Sequence, residues 1–410
     1  MDTQRRSNGM SRIGSFFTTA LFLTLSFIYI LPNSDATAQV QNAGRGLTYV
    51  RSAWNLDPGH LIMYNYTRFF GSATEINFSA DSTGTVTYWD VQAGFSLNYG
   101  ITRNIELGFT PIIYQDTHIG DSGFNLIDDI FVMLKVGSYG KRGASINYGF
   151  DVGTRLPTGK IHNVVFEPYS AGKISFGVNT RFSFASDPLY PDEAFSAHLN
   201  VGYWNHNDVG QKLTQHPADM TVVEKPTQEL QYGFGVIYPT DRFDFSAELT
   251  GTSFIQFPPE TAYSQENSAF LSPKVRYKAY RWLAIDMSAD FRVAGGKDNT
   301  VYTYLNRFTN IGNYPGWRLN LGARITLLPT SIYSTSERDL LMRKAETRRE
   351  LFEQIIREQK ETESAEDELE RIKEERRKAE RELDRLRKVL DNSKTSKKDD
   401  KKKSKDNENK

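Results

Sequence analysis

Apolar and polar residues alternate from about residue 59 to residue 328. In the segment 144–155, for example, Ile146 and Phe150 fall on one side of an extended chain and Asp151 falls on the other. Successive side chains of a β-strand point to opposite faces, so a period of two predicts strands with one apolar and one polar face. Alternation alone does not separate a soluble β-sandwich from a membrane barrel, because both contain such strands.

The length of the alternating segments separates these two folds. A strand that crosses a membrane needs about 9 to 11 residues, whereas strands of soluble proteins are commonly about 5 or 6 residues long. We expect about twelve long strands, an even number, as in single-chain bacterial outer-membrane barrels. They lie near 59–70, 86–99, 104–114, 127–138, 144–155, 172–184, 195–205, 229–238, 243–255, 268–278, 282–293 and 317–328.

The connections between the strands form two unlike sets, one short and one long. Outer-membrane barrels have short turns in the periplasm and long loops outside. We therefore predict an all-β fold: a transmembrane antiparallel β-barrel over residues 59–330, in the cell outer membrane. An even strand count then places both termini in the periplasm. The tight connections are 100–103, 139–142, 239–242 and 278–281, with 186–194 somewhat longer, and the long ones are 71–85, 115–126, 156–171, 206–228, 256–267 and 294–316.

The N-terminus has the pattern of a secretory signal. A basic start precedes an apolar run over residues 16–31, and a small-x-small site ends at Ala38. This pattern predicts a signal peptide over 1–38. Residues 39–58 are then a short periplasmic lead-in to the first strand, too short for a folded plug domain. Any obstruction of the lumen is expected from inward side chains or from a folded-in loop.

Beyond Leu328 the apolar period changes from two to about three and a half. Leu341 and Phe352 follow one heptad phase, and a second phase begins near residue 365. This spacing predicts a charged periplasmic helix over 337–391 with a broken coiled-coil seam. Residues 392–410 are nearly all lysine, aspartate, serine and asparagine, which predicts a disordered basic tail.

Composition narrows the chemistry that the chain can perform. The 50 basic residues balance the 50 acidic ones, and the absence of cysteine excludes disulfides, thiolate metal sites and a cysteine nucleophile. His198 and Ser196 share one face of a strand, but such neighbours point in parallel and no third group is evident. Metal-ligand spacings and the glycine-serine nucleophile elbow are missing. We expect no catalytic residue, no metal, no cofactor and no enzymatic activity.

The polar faces of the strands are expected to line the lumen, and they carry charges of both signs. Such a mixture favours weak ion selectivity, or paired charges that fill a narrow lumen. Three basic residues alternate on one strand and face two acids on the next, which fits either a salt-bridge ladder or a basic strip that guides a substrate. The lumen-lining candidates are Asp151, Arg155, Lys173, Arg181, Glu248, Lys274, Arg276, Lys278, Asp286, Asp290, Arg292, Arg318 and Arg324.

Residues 126–184 carry a recurring family pattern. It comprises Leu126-Ile127-Asp128-Asp129, Lys135, Arg155-Leu156-Pro157-Thr158-Gly159 and Ser170-Ala171-Gly172. This stretch resembles the transporter-like outer-membrane barrel family of the meta-pathway of phenol degradation. The resemblance implies a monomeric barrel that passes hydrophobic or aromatic compounds, although the charged C-terminal segment departs from the family. A looser resemblance links the chain to the long-chain fatty-acid channels, whose plug domain it lacks.

These observations predict an outer-membrane channel or transporter for small, hydrophobic or aromatic solutes. One alternative is a barrel anchor whose periplasmic helix tethers cell-envelope partners, and a second, less favoured one is an outer-membrane hydrolase. The expected partners are outer-membrane lipid and a small solute of unidentified kind. The C-terminal helix suggests self-association or a periplasmic partner, and nothing indicates binding to nucleic acid.

Overall fold

The computed structural model describes residues 41–79, 82–118, 123–140, 143–213, 220–301, 312–333 and 337–405. The predicted signal peptide over 1–38 lies outside these residues. The described chain divides into two compact units, one reaching to Thr335 and one beginning at Ser336.

Thirteen strands make up the first unit, and twelve of them form the barrel wall. The wall strands are 10 to 21 residues long. The extra strand, Gly123–Leu126, pairs only with the strand Ile105–His118. The strands are β1 (Leu61–Ser79), β2 (Ser82–Thr102), β3 (Ile105–His118), β4 (Gly123–Leu126), β5 (Ile130–Tyr139), β6 (Ile146–Leu156), β7 (Ser175–Ala185), β8 (Ser196–Asn205), β9 (Gln228–Pro239), β10 (Phe243–Gln256), β11 (Ser268–Tyr280), β12 (Leu283–Ala294) and β13 (Trp317–Leu328), followed by a 3₁₀ turn at Thr330–Tyr333.

The sheet closes on itself, and every pairing is antiparallel. Each wall strand pairs with its neighbours in sequence, and β1 also pairs with β13, for example Tyr64 with Arg324. Closure pairs the backbone groups of the first and last strands and leaves no open edge on the wall.

The polarity of the barrel is the reverse of that of a soluble protein. On β6, Phe150 points outward and is 44% exposed, whereas its neighbour Asp151 points into the lumen and is 1% exposed. The apolar face is therefore outside and the polar face inside around the wall, the arrangement of a transmembrane β-barrel. A soluble sandwich would bury Phe150 instead.

Strand bounds differ from the sequence expectation mainly in two places. The first hairpin, β1 and β2, continues to Ser79 and from Ser82, so most of the segment 71–85 is strand rather than loop. β7 begins at Ser175 and not at residue 172, because Gly172 takes a backbone conformation with φ of 68° that interrupts an extended chain.

The N-terminal segment contradicts the lead-in interpretation. Residues 41–57, here called the plug, fold into the lumen, where Leu47, Tyr49 and Val50 are fully buried. The segment enters at the rim that carries the short turns, since Gly59 donates its N–H to Gly100 O at 2.8 Å. The earlier expectation was wrong because seventeen residues need no core of their own when the wall supplies hydrogen-bond partners.

The second unit contains one helix, α1, which runs from Glu337 to Lys405. It begins where the heptad pattern predicts and continues past Asp391 into the segment that was expected to be disordered. Lysine is a good helix former, which is consistent with this extension. Residues 406–410 of that predicted tail lie outside the described part of the chain. Among the described residues, no helix is long and apolar enough to cross a membrane.

Candidate functional site

The plug turns back on itself around residues 46–51. Leu47 donates its N–H to Val50 O at 2.9 Å, and Ser52 donates to Arg45 O at 3.0 Å. Gly46 has a φ of 110°, a conformation that glycine adopts at little cost. The turn directs the N–H groups of Thr48, Tyr49 and Val50 to one point.

That point is the carboxylate of Glu248, on the inner face of β10. Its two oxygens accept the N–H groups of Thr48, Tyr49 and Val50 at 2.8, 2.8 and 2.7 Å. Successive N–H groups of a tight turn form a concave site for an anion, and here the barrel wall provides that anion. The buried glutamate is thereby satisfied without a paired cation on the plug.

Other polar groups of the wall hold the rest of the plug. Backbone N–H groups of the plug are accepted by hydroxyl, amide and carboxylate side chains around the barrel, and Tyr49 donates its hydroxyl to Asp290 at 2.8 Å. The plug therefore contacts most of the circumference rather than one strand. The acceptors are Ser96 for Ala43, Asn200 for Arg51, Ser183 for Ala53, Ser138 for Asn55 and Glu106 for Leu56.

Glycines on the wall make room for the plug. A Cβ placed at Gly233 would lie 2.8 Å from Cγ2 of Val50, and one at Gly137 would lie 2.4 Å from the carbonyl oxygen of Ala53. Both distances are too short for a larger residue without movement. The wall is thus shaped to accept this segment.

A loop fills the opposite end of the lumen. Residues 157–174, here called the inward loop, bring Glu167 to a salt bridge with Arg68 of β1, and Gln92 donates to the same carboxylate at 3.1 Å. Burial alone would raise the pKa of Glu167, but the charges of Arg68 and Arg318 and the hydrogen bonds to the carboxylate outweigh it and lower that pKa. Glu167 is therefore ionised at neutral pH.

Aromatic rings surround this ion pair. Phe166 packs edge-on against Phe70 with ring centroids 5.1 Å apart, and it stacks on Tyr88 at 5.7 Å. Tyr169 donates its hydroxyl to Asp208 at 2.7 Å and meets the ring of His206 at 4.9 Å. Burial, followed by the charge of Asp208, raises the pKa of Tyr169 well above its usual range, so the hydroxyl remains a donor.

The residues of the family-like pattern clamp the base of the inward loop. Arg155 pairs with Asp129 at 2.5 Å, and Thr158 donates its hydroxyl to the carbonyl of Asp128. A Cβ at Gly159 would lie 2.6 Å from Asp128 Oδ1, so a larger residue there would have to displace the Asp128 carboxylate. The pattern thus positions the loop that closes the lumen.

A cavity of about 100 Å³ lies between the plug and the inward loop. It is lined by both of these segments and by strands β1, β2, β3 and β5 to β9. Charged and apolar groups share its surface. The lining includes Gln41, Arg51, Arg68, Phe131, Met133, Asp151, Arg155, Glu167, Tyr169, Arg181, Trp204, His206 and Glu229.

The structure disperses the predicted lumen-lining residues over the whole inner wall. Only Asp151, Arg155 and Arg181 of that set reach the central cavity. Lys173 departs from the expectation, because it precedes β7 and is exposed. The remaining residues are buried or half-buried: Glu248, Lys274, Arg276, Lys278, Asp286, Asp290, Arg292, Arg318 and Arg324.

The basic strand β11 forms ion pairs rather than a free strip. Asp286 lies 2.5 Å from Lys274 and 2.7 Å from Arg276. Lys278 pairs instead with Asp244 at 2.7 Å, and Asp290 accepts from Tyr49 of the plug. The ladder interpretation therefore describes Lys274 and Arg276, and the charges of this region fill the lumen as pairs.

The histidine considered for catalysis has a different neighbour from the expected one. His198 Nδ1 lies 2.7 Å from Ser183 Oγ on the adjacent strand, and Ser183 also accepts the N–H of Ala53 at 2.7 Å. The plug thus covers this serine. Within the described ranges, no group of three or more histidine, aspartate or glutamate side chains is placed to bind a metal ion.

Sequence reasoning missed several cavity residues, for two reasons. On β1 the inward face is aromatic, since Tyr64, Tyr66 and Phe70 are buried beside Arg68. The expectation that polar residues face the lumen therefore did not identify Arg68. For Arg51 and Glu167, which lie outside the strands, the alternation carries no information at all.

No protein-family model and no curated protein sequence matches the chain. Solved structures with a similar fold include an outer membrane channel of Pseudomonas putida F1, at 12% identity and TM-score 0.42, with 67% of this chain and 98% of that chain covered. The P. putida toluene transporter TodX matches at 7% identity and TM-score 0.35, with 72% and 99% covered. A Pseudomonas aeruginosa FadL homologue matches at 10% identity and TM-score 0.32, with 72% and 98% covered. These values are too low to support a shared solute or mechanism, and the family resemblance of residues 126–184 stays a prediction.

Proposed function

We propose that the chain is an outer-membrane channel whose lumen passes small solutes and is closed at rest by the plug and the inward loop. The observation that carries this proposal is the cavity between two segments that are joined to the wall by polar contacts. Such contacts exchange readily with water, so either segment can move without unfolding the barrel.

The outer-membrane location rests on the exposed apolar exterior of a closed sheet. Aromatic rings border the short turns, among them Tyr280, stacked on Trp282 with centroids 5.5 Å apart, and Tyr139, stacked on Tyr148 at 5.9 Å. Rings with a polar tip suit the membrane interface. We expect the mature chain to begin at Gln39, with both termini in the periplasm, and to fractionate with the outer membrane. Recovery from the inner membrane or the soluble periplasm would refute this location.

We propose further that the solutes of this channel are hydrophobic or aromatic. The cavity offers Phe131, Met133 and Trp204 as apolar contacts, but its size admits only small molecules.

The rival function, a barrel that anchors a periplasmic tether, is favoured by one observation: α1 forms a compact unit of its own.

Solute flux through the purified chain tests the channel directly. The mature protein is reconstituted into liposomes, and swelling is followed with uncharged solutes of increasing size. We expect slow swelling with the smallest solutes, and faster swelling with a larger size limit when residues 41–57 are deleted. If neither form exceeds protein-free liposomes, the chain is not a channel.

A further inference from the structure

Two of the four arginines that line the central cavity share a single carboxylate. Arg155 is paired with Asp129, and Arg68 is paired with Glu167. The two other arginines, Arg51 of the plug and Arg181 of β7, share one partner, Asp151. The Arg51 and Arg181 pair therefore carries one positive charge beyond its carboxylate.

Both of these arginines line the cavity, and each has a buried donor without a partner in the described part of the chain. Nη1 of Arg181, a residue that is 2% exposed, and Nε of Arg51 have no hydrogen-bond partner among the described residues. Asp151 lies 3.7 Å from Nη1 of Arg51, which is long for a hydrogen bond. That same nitrogen donates to the thioether of Met133, a weak acceptor. A buried charged donor of this kind destabilises the fold unless an acceptor forms a hydrogen bond with it.

The acids of the cavity do not supply that acceptor. Glu229 lies 3.4 Å from His206 and accepts from Gln231 at 2.6 Å, and Asp151 already accepts from Arg181 and Asn179. Phe131, Met133 and Trp204 form an apolar part of the cavity lining. A complementary ligand has one anionic end and one apolar end.

We propose that the pair Arg51 and Arg181 binds the carboxylate of a small monocarboxylic acid, whose apolar tail lies against Met133 and Trp204. Guanidinium forks match carboxylate geometry in two-pronged hydrogen bonds. An apolar cavity of about 150 Å³ accepts benzene, so the smaller cavity here fits a short aliphatic acid of about the size of butyrate. This inference deepens the proposed channel function and names its solute class. Because Arg51 belongs to the plug and Arg181 to the wall, the bound acid also bridges the two.

Calorimetric titration of the purified mature chain in detergent tests the site without any flux measurement. The probes are butyrate, its neutral analogue butyramide, and chloride and inorganic phosphate. Butyrate is expected to bind at least tenfold more tightly than each of the others. Equal binding of butyrate and butyramide would overturn the role of the charge, and equal binding of the inorganic anions would overturn the role of the apolar contacts.

Three substitutions separate the site from general damage to the fold. Arg51→Gln is expected to weaken butyrate binding at least tenfold. Arg45→Gln is the matched control, because it removes the same charge from the plug at the rim, where Arg45 pairs with Asp57 and Asp192, and it should leave the affinity within twofold. Asp151→Asn should strengthen binding severalfold, a result that misfolding cannot produce. Equal losses in R51Q and R45Q, or weaker binding in D151N, would overturn the proposal.

Failure of the inference and failure of the channel are distinguishable. A chain that passes neutral solutes but does not bind butyrate overturns the carboxylate site and leaves the channel. A chain that binds butyrate with the expected variant pattern but passes no solute supports the site and overturns the channel.

Discussion

Val50 donates its backbone N–H to Glu248 at 2.7 Å, across 198 positions of the chain. This contact joins the N-terminal segment to the inner wall of the barrel. The same carboxylate accepts two further N–H groups of the plug, those of Thr48 and Tyr49. In the proposed channel, the closed state depends on such side chain to backbone contacts.

Replacement of Glu248 should therefore open the channel. Glu248→Gln removes the charge and turns an amide donor toward N–H groups, which weakens plug docking by about 2 kcal/mol. That loss corresponds to a roughly thirtyfold increase in the open population. Planar-bilayer recordings should show more frequent openings. Asp244→Asn, on the same strand but paired with Lys278, is the control and should match the wild type. Identical opening in E248Q and the wild type would argue against this anchor.

The inward loop should respond to acid through Glu167. The pKa of this residue is lowered in the folded protein, so its ion pair with Arg68 stabilises the loop at every pH above the ordinary glutamate value of about 4.3. The stabilisation is lost as the pH falls through the lowered pKa. We expect the part of the conductance that depends on Glu167 to be constant from pH 8 to about 5 and to rise only at more acidic pH.

Glu167→Gln is the control for that titration. It should loosen the loop at all pH values and remove the acid-dependent step that the wild type shows. A step at pH 6 in the wild type, or an unchanged step in E167Q, would assign the response to another group.

The clamp at the base of the loop should not tolerate a side chain at position 159. Gly159→Ala places a methyl group 2.6 Å from Asp128 Oδ1 and should destabilise the closed loop by about 1 to 3 kcal/mol. Limited proteolysis of the loop would report the change. Gly316→Ala is the matched control, because nothing lies within 4 Å of its Cβ position. Equal protease resistance of the two variants would refute the clamp.

The barrel should fold without its C-terminal helix. A closed sheet satisfies its own backbone hydrogen bonds, and α1 belongs to a separate unit. A chain lacking residues 337–410 should keep the heat-modifiable migration of a folded barrel and the solute flux of the full chain. Normal insertion with complete loss of activity in cells would instead place the function in the helix and favour the tether.

The strands could be predicted from sequence because a membrane barrel imposes a strict period of two over long segments. Phe150 and Asp151 illustrate this, since Phe150 faces the lipid and Asp151 faces the lumen. The central cavity could not be predicted in the same way. Arg51 and Glu167 lie in segments without period, and their positions depend on partners elsewhere in the chain, such as Asp151 and Arg68. The alternation along the wall strands identified Arg181 as lumen-lining. It did not indicate that Arg181 shares the carboxylate of Asp151 with Arg51 of the plug.

The most direct test of a solute pathway closed by the plug is to lock the plug to the wall. The chain has no cysteine, and a Cβ at Gly233 would lie 2.8 Å from Val50 Cγ2, close to where a cysteine sulfur would stand. The double variant Val50→Cys with Gly233→Cys should therefore form a disulfide, with each single variant as a control. Liposome swelling with a small uncharged solute is then measured before and after reduction. We expect no swelling above protein-free liposomes when the variant is oxidised, and the rate of the single variants after reduction. Equal swelling rates in the oxidised and reduced forms would contradict a solute pathway that the plug closes.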